Sequence, residues 1–261
     1  MSQYEIGFLG CGQMGQAMLS GLINAGYDRS KIIISSLNHS KQIGEKYQVA
    51  FASPEHVIIQ SQILILCVKP QQAEELLVKW TAFFDIRQHI LVSVLAGKGI
   101  DWIKKVSQYS ACVRVMPNLA CQMGQGLSLI YDDQTIKIQR VKSLFDMMGK
   151  SLLLQKEDDF HVGTAICSSG IAYVCTLIDA LADGAVECGL NRQQALSMIS
   201  QMVTGTGFLS VEKHPALLRE QVASPAGVTM RGLRVLEQHN FRSALIEAVV
   251  ESTQRSKDLN K

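Results

Sequence analysis

The sequence predicts an α/β architecture: an N-terminal Rossmann-type doubly wound parallel sheet followed by an all-α C-terminal domain. Three observations lead there. Through about residue 155, short β-branched runs alternate with longer amphipathic segments, the pattern of parallel strands joined by crossover helices. The apolar run 6–22 is broken by Gly10, Gly12 and Gly15 between the first strand and the first helix. After His161 the strand signal stops, and apolar residues recur at three- and four-residue spacing.

Strands are expected at residues 5–9, 31–35, 63–68, 90–94, 112–116, 126–131 and 151–154. A helix over 13–25 places Met14, Met18, Leu22 and Ala25 on one face. Long helices follow at 172–188, 192–211 and 242–257, with Leu177, Leu181 and Val186 aligned on the first and Leu245, Val249 and Thr253 on the last. The stretch 171–203 is rich in Ala, Met and Leu and poor in charge. It carries more apolar surface than a helical unit of this size buries within itself, which points to a partner subunit. The acidic run Glu157-Asp158-Asp159 reads as the solvated start of the first long helix, and the domain boundary falls beside it, giving domains over 1–158 and 159–261.

With 261 residues and 47% hydrophobic content, the chain is large enough for a buried core in each part. Its 25 basic and 23 acidic residues are interspersed, for a net charge of +2, so no basic block suggests nucleic acid or a membrane surface as partner. No apolar stretch is read as reaching the roughly 20 residues of a membrane span, and the first strand begins without a charged leader. The seven cysteines form no CxxC pair, which suits reduced thiols, and a cytoplasmic location is expected. The six histidines show no HxxxH or HExxH spacing, so no metal site is expected.

The glycines have a physical reading in that context. Gly10 permits the tight turn out of the strand, Gly12 lets a pyrophosphate approach the backbone, and Gly15 allows close packing of helix on strand, with the anion at the helix N-terminus. This is a Rossmann-type dinucleotide site. An Asp or Glu about 20 residues later would accept from the ribose 2′-hydroxyl of NAD. The chain instead has Ser35-Ser36-Leu37-Asn38-His39-Ser40-Lys41, with no carboxylate to repel a 2′-phosphate and several donors to meet one. NADP(H) is therefore preferred, with NAD(H) as the alternative. Val68-Lys69-Pro70 and Ala96-Gly97 should end strands at the carboxyl edge of the sheet, where such folds bind ligands. Ser224-Pro225 reads as a helix start, with a Ser N-cap and Pro at the first helical position.

Taken in chain order, the glycine turn, "CVKP" (67–70), "SVLAG" (93–97), "RVMPN" (114–118), "SSGIAYV" (168–174), "EKHPALLREQVASPAGVTMRGLRVLE" (212–237) and "FRSALIEAV" (241–249) resemble the pyrroline-5-carboxylate reductases. The most specific block, 221–237, follows that family's V-x-S-P-G-G-x-T-x-x-G-x-x-x-L-E pattern. The resemblance implies a dinucleotide-binding domain over 1–158 and a helical dimerisation and substrate domain over 159–261. It also implies reduction of 1-pyrroline-5-carboxylate to L-proline, the last step of proline biosynthesis, in an obligate homodimer or a larger assembly.

The cofactor residues implied are Gly10, Cys11, Gly12, Gln13, Met14 and Gly15 at the first turn, and Ser35, Ser36 and Asn38 at the second. Cys67, Val68, Lys69 and Pro70 follow at the third, Leu95, Ala96 and Gly97 at the fourth, and Met116, Pro117 and Asn118 at the fifth. Ser224, Gly227, Val228 and Thr229 would hold the substrate, and Thr229 would orient the ring nitrogen during catalysis.

The chain departs from the family pattern at three places. S-G-S-G-P-A-Y is Cys167-Ser168-Ser169-Gly170-Ile171-Ala172-Tyr173, without the proline that would start a helix. M-P-N-T-P ends in Leu119-Ala120. S-P-G-G is Ser224-Pro225-Ala226-Gly227, and Ala226 is strained if that position takes positive φ. These departures leave open a nucleotide-binding paralogue without turnover. A reductase of another cyclic imine or of a hydroxy acid is the other alternative. The β-hydroxyacid dehydrogenases would need a lysine on the first long helix, and residues 172–186 contain neither Lys nor Arg.

Overall fold

The computed structural model describes residues 2–85, 89–132 and 138–259. Its first elements are β1 (Tyr4–Leu9), α1 (Gln13–Asn24), β2 (Ile32–Ser35), α2 (Ser40–Tyr47), β3 (Ala50–Phe51), α3 (Pro54–Gln60), β4 (Ser61–Leu66) and α4 (Pro70–Trp80). Then come β5 (Ile90–Ser93), α5 (Ile100–Ser107), β6 (Cys112–Met116), β7 (Gly126–Tyr131), α6 (Ile138–Asp146) and β8 (Gly149–Leu153). The strands form one sheet in the order β3-β2-β1-β4-β5-β6-β7-β8. The expected doubly wound sheet is present, with β1 and β4 as the central pair where the strand order reverses.

Side-chain alternation builds a core on each face of that sheet. Ile6 and Phe8 of β1 pack with Met18 and Leu22 of α1 on one side, while Leu9 packs with Leu64, Leu66, Ala73 and Leu77 on the other. Register aligns Ile6 with Ile32 of β2 and with Ile63 of β4, so the buried strands bring apolar residues level with one another.

Two features differ from the expectation. β3 is an additional strand, whose two residues are too short to show a period. β7 runs antiparallel to β6. Only residues 117–125 join these two strands, too few for a crossover helix, and a 3₁₀ turn at Leu119–Met123 with Gly124 at φ 68° reverses the chain.

The remaining elements are helical: α7 (Asp159–Gly163), α8 (Ser169–Glu187), α9 (Arg192–Glu212), α10 (Pro215–Val222), α11 (Val228–Gln238) and α12 (Phe241–Asp258). A π turn at Thr164–Ser168 joins α7 to α8. The chain falls into two compact units, one made of residues up to 168 together with those from 253 onward, the other of residues 169–252.

In the first unit, Glu157 is not a solvated helix start. Its carboxylate accepts from the Ile100 N–H at 2.7 Å, at the start of α5, and pairs at 2.8 Å with Arg114, which is buried on β6. The guanidinium also lies over the Phe160 ring, 4.3 Å from its centroid. Spacing along the chain gives no sign of this, since the ion pair spans 43 residues.

The helical unit buries little within one chain. Ala182 is the buried residue of α8 and Ala195 that of α9, and α10, α11 and α12 have none. Asn191 caps α9 through the N–H groups of Gln193 and Gln194, and Arg192 pairs with Asp179 and Asp183 of α8. The Tyr173 hydroxyl bonds to Ser252 at 2.5 Å, fastening α8 to α12 within this unit.

The expectation that no segment reaches membrane-span length is corrected here. The π turn does not end the helix, so the run Asp159–Glu187 is continuous over 29 residues, with a window of mean hydropathy 1.7. By length and composition alone it could cross a membrane. The same properties fit a helix whose faces meet another subunit.

His161 is buried in the first unit, and its Nδ1 lies 3.0 Å from the Ser256 hydroxyl. Burial, then the nearby Arg114 cation, hold its pKa below the ordinary imidazole value. The unfolded chain therefore takes up a proton that the folded chain refuses, and stability is full above the unfolded pKa and falls with pH below it. Urea midpoints should be flat above about pH 7 and decline below about pH 6.5. The decline should be shallower in His161→Asn; an identical decline in that variant would assign the effect to another group.

Candidate active site

One candidate binding element lies in the first unit, at the carboxyl edge of the sheet. Gly10 follows β1 with φ +86°, and a Cβ there would lie 2.8 Å from the Cys67 carbonyl group and the Val68 nitrogen. A Cβ on Gly15 would lie 3.3 Å from the Gly10 carbonyl oxygen and 3.4 and 3.6 Å from the Cys11 and Cys67 sulfurs, a tight fit that the bare α-carbon avoids where α1 meets the strand end. Gly12 has open space where its Cβ would be. It is the N-cap of α1 and uses no side chain for capping, so the first amides of α1 remain free for an anion.

Backbone hydrogen bonds fasten neighbouring strand ends. Gly10 N–H donates to the Ser35 carbonyl at 2.8 Å, Cys67 N–H to Leu9 at 2.8 Å, and Val94 N–H to Leu66 at 3.2 Å. The loops at 10–15, 35–38, 67–70 and 95–97 are thereby held along one edge, and 117–118 extends it from β6. Gln13, Asn38, Lys69 and Ala96 are exposed there, while Met14, Ser36, Val68 and Pro70 are half-buried. Leu95 and Met116 point into the core, leaving their backbone at the edge, and Pro117 is buried beside them. Lys69 and Pro70 begin α4 as its N-cap and first helical residue.

One residue outside the expected set organises the second turn. The Ser40 hydroxyl accepts from Ser36 N–H at 2.6 Å and donates to the Ser36 carbonyl at 2.7 Å. This clamp presents Ser36 and Asn38 beside the N-terminus of α2, with no carboxylate among residues 35–41. A hydroxyl four residues from Ser36 at a helix start is the signal that could have found it.

The thiols in the first unit are chemically quiet. Burial pushes Cys11 up to about 12 and Cys121 up to about 11, and raises Cys67 further. All three stay protonated at neutral pH, so they fill space and offer no nucleophile.

A second candidate binding element lies in the helical unit and is described by itself. Here the expected cap is corrected: Ser224 is not the N-cap of α11. Residues 224–227 form a turn closed by Gly227 N–H donating to the Ser224 carbonyl at 3.0 Å, and the helix begins at Val228 with Gly227 as N-cap. Pro225 takes the second position of the turn and Ala226 the third at φ 60°, the arrangement of a type II turn. Proline favours that turn as much as it favours a helix start, which is why the sequence misleads here.

A side chain on Gly227 would strike the Ser224 hydroxyl, so the turn holds those two residues against each other. The N–H groups of Val228, Thr229 and Met230, in the first turn of an 11-residue helix, have no carbonyl four residues back within it. Ser224, Val228 and Thr229 are exposed beside them. Donors without partners, a hydroxyl and a small turn suit a carboxylate. A cleft of about 600 Å³ between α10 and α11, lined by Arg219, Glu220, Arg234 and Glu237 among others, includes none of these residues.

Two substitutions should separate folding from binding in the glycine turn. Gly10→Ala meets backbone and should lower the unfolding free energy by roughly 2 kcal/mol or more. Gly12→Ala meets open space and should leave the urea midpoint unchanged while weakening NADPH binding at least about tenfold by fluorescence titration. Equal destabilisation by both would contradict this division. Ala226→Gly relieves a left-handed alanine but loosens the unfolded chain, so unfolding should become harder by about 0.5–1 kcal/mol; a loss of stability would show that Ala226 is unstrained.

Comparison with known proteins bears on both halves. A family model described as "Pyrroline-5-carboxylate reductase dimerisation" matches residues 157–259, and one described as "NADP oxidoreductase coenzyme F420-dependent" matches residues 5–97. Pyrroline-5-carboxylate reductase from Arabidopsis thaliana is 33% identical over 270 residues, covering 98% of this chain and 96% of the relative. The Synechocystis enzyme of the same name is 33% identical over 267 residues, covering 98% of both. Among solved structures, pyrroline-5-carboxylate reductase from Coxiella burnetii superposes with a TM-score of 0.89 at 26% identity, over 100% of both chains. The Plasmodium falciparum pyrroline carboxylate reductase with NADP bound gives 0.87 at 26% identity, also over 100% of both. With this identity sustained along its whole length, the chain belongs to the pyrroline-5-carboxylate reductase family.

Proposed function

We propose that this chain reduces 1-pyrroline-5-carboxylate to L-proline with NADPH as the preferred hydride donor and NADH as the alternative. The observation that carries this reading is the pairing, in one chain, of a glycine turn open at Gly12 with a small turn and free helix start at 224–229. Full-length identity to named reductases supports it.

Bound NADPH supplies the hydride, and the protein residues place it. The amides of 10–15 would hold the diphosphate, the clamped turn carrying Ser36 and Asn38 would meet the 2′-phosphate, and the small residues Ala96-Gly97, with Met116 and Pro117, would leave room for the nicotinamide. Lys69 stands at the ribose-diphosphate edge as a binding residue. The free amides of Val228 and Thr229 would donate to the substrate carboxylate, with Ser224 beside it; the Gly227 N–H, expected among these donors, already donates to the Ser224 carbonyl, and Gly227 shapes the turn instead. Hydride addition to the imine carbon leaves a ring nitrogen that needs one proton. A protonated iminium already carries that proton, so position and exclusion of water supply most of the rate. The Thr229 hydroxyl orients the nitrogen; as an acid it is weak.

The functional division is residues 1–158 for the cofactor and 159–261 for substrate and dimerisation. An obligate homodimer in the cytoplasm is the assembly we favour, with no nucleic-acid or membrane partner. The near absence of burial in α8–α12 supports the dimer, because one chain alone leaves Val174, Met198, Phe208 and Val228 exposed. In such a dimer the substrate turn of one subunit meets the nicotinamide held by its partner.

The test is NADPH oxidation by the purified protein with 1-pyrroline-5-carboxylate. Turnover is expected, and Thr229→Ala should lose about tenfold to a hundredfold in kcat, the worth of one hydrogen bond to a charged group. A folded, NADPH-binding protein without turnover would establish the inactive paralogue instead. Unchanged kcat in the variant would remove Thr229 from the mechanism.

A further inference from the structure

Asn118 ends the β6 segment at the edge where the nicotinamide is proposed to lie, yet its side chain is turned into the protein. It is 8% exposed. Its Nδ2 donates to the Cys167 carbonyl at 3.0 Å and its Oδ1 accepts from Leu127 N–H at 3.2 Å, while its own carbonyl accepts from Cys121 N–H at 3.1 Å. One planar amide therefore ties three places together: the 116–118 turn, the start of β7 and the π turn at Thr164–Ser168. The two side-chain bonds reach backbone groups 9 and 49 residues away, so neither is the local capping that asparagine commonly provides.

The partner at Cys167 matters. In a π turn the regular four-residue hydrogen-bond register is interrupted, and a carbonyl there is stabilised by a donor from outside the helix. Cys167 is buried and stands two residues before the chain passes into the helical unit. We propose that Asn118 is a positioning residue of the reductase site: its side-chain amide locks the 116–118 turn to the π turn at 164–168 and to β7, without itself bonding the cofactor. The inference rests on the reductase reading above for its kinetic consequence. Near-attack geometry is sensitive to displacements of about 1 Å, which can cost about a hundredfold in rate. A turn that slips by that amount would present the nicotinamide badly while still binding it.

The test compares Asn118→Ala and Asn118→Asp with the unaltered protein. In Asn118→Ala, kcat should fall about tenfold to a hundredfold. The Kd for NADPH, titrated without substrate, should move by less than about threefold. Amide exchange should quicken at Leu127 and at residues 164–168. Asn118→Asp keeps an acceptor for Leu127 N–H but turns an oxygen toward the Cys167 carbonyl. It should restore slow exchange at Leu127, leave residues 164–168 fast, and keep kcat low. Weakening of NADPH binding by about tenfold or more, with exchange at 164–168 unchanged, would make Asn118 a cofactor contact and overturn the proposal. Full activity in Asn118→Asp would overturn it as well. Exchange and NADPH binding require no turnover, so a protein inactive on 1-pyrroline-5-carboxylate would defeat the reductase reading while these two measurements still decide the role of Asn118.

Discussion

Where β1 ends, Gly10 turns at φ +86° with its α-carbon so near the Cys67–Val68 backbone that a methyl group has no room. Everything at the sheet edge depends on that approach. It brings the end of β1 against the end of β4, the two strands between which the order of the sheet reverses, and so opens a crevice at that point. The turn delivers Gly12 to the head of α1 with its amides outward, and Gly15 then lets the helix lie close enough to hold the turn in place. A larger residue at Gly10 would part the two strand ends; one at Gly12 would leave them joined and extend into open space.

A second constraint works at the far side of the first unit. Arg114 lies on a buried strand, and its charge is met by Glu157 and by the face of Phe160, both beyond β8. Because Glu157 also accepts from the Ile100 amide, a single carboxylate fixes the start of α5 and the entry into α7. Burying a guanidinium is costly unless it is paired, so this arrangement contributes to a definite geometry more than to net stability. α7 leads on into the π turn at Thr164–Ser168, where the Asn118 side chain donates to the Cys167 carbonyl.

What could be read from the sequence follows the range of the interactions. The glycine turn is local, and the tight turn at Gly10 and the close helix at Gly15 follow from spacing alone. The long helices were visible because apolar spacing repeats many times in each. The two-residue β3 has no repeat to read, and the Arg114–Glu157 pair joins residues whose meeting is decided by sheet topology. Ser224-Pro225 misled because proline suits the second position of a type II turn as well as the first turn of a helix. The helix expected at 172–188 begins earlier, at Asp159, because one π turn at Thr164–Ser168 carries the chain through the small residues before it.

The helical unit has a thermodynamic consequence. Its five helices bury two alanines between them in the single chain, far too little apolar surface to offset the entropy of ordering about eighty residues. The match to a reductase dimerisation domain over 157–259 fits such surface being covered by association. In the homodimer proposed above, folding of this half would be a second-order process whose equilibrium depends on protomer concentration. Dilution would then act on it as a denaturant does, while the glycine-bearing half carries its own core.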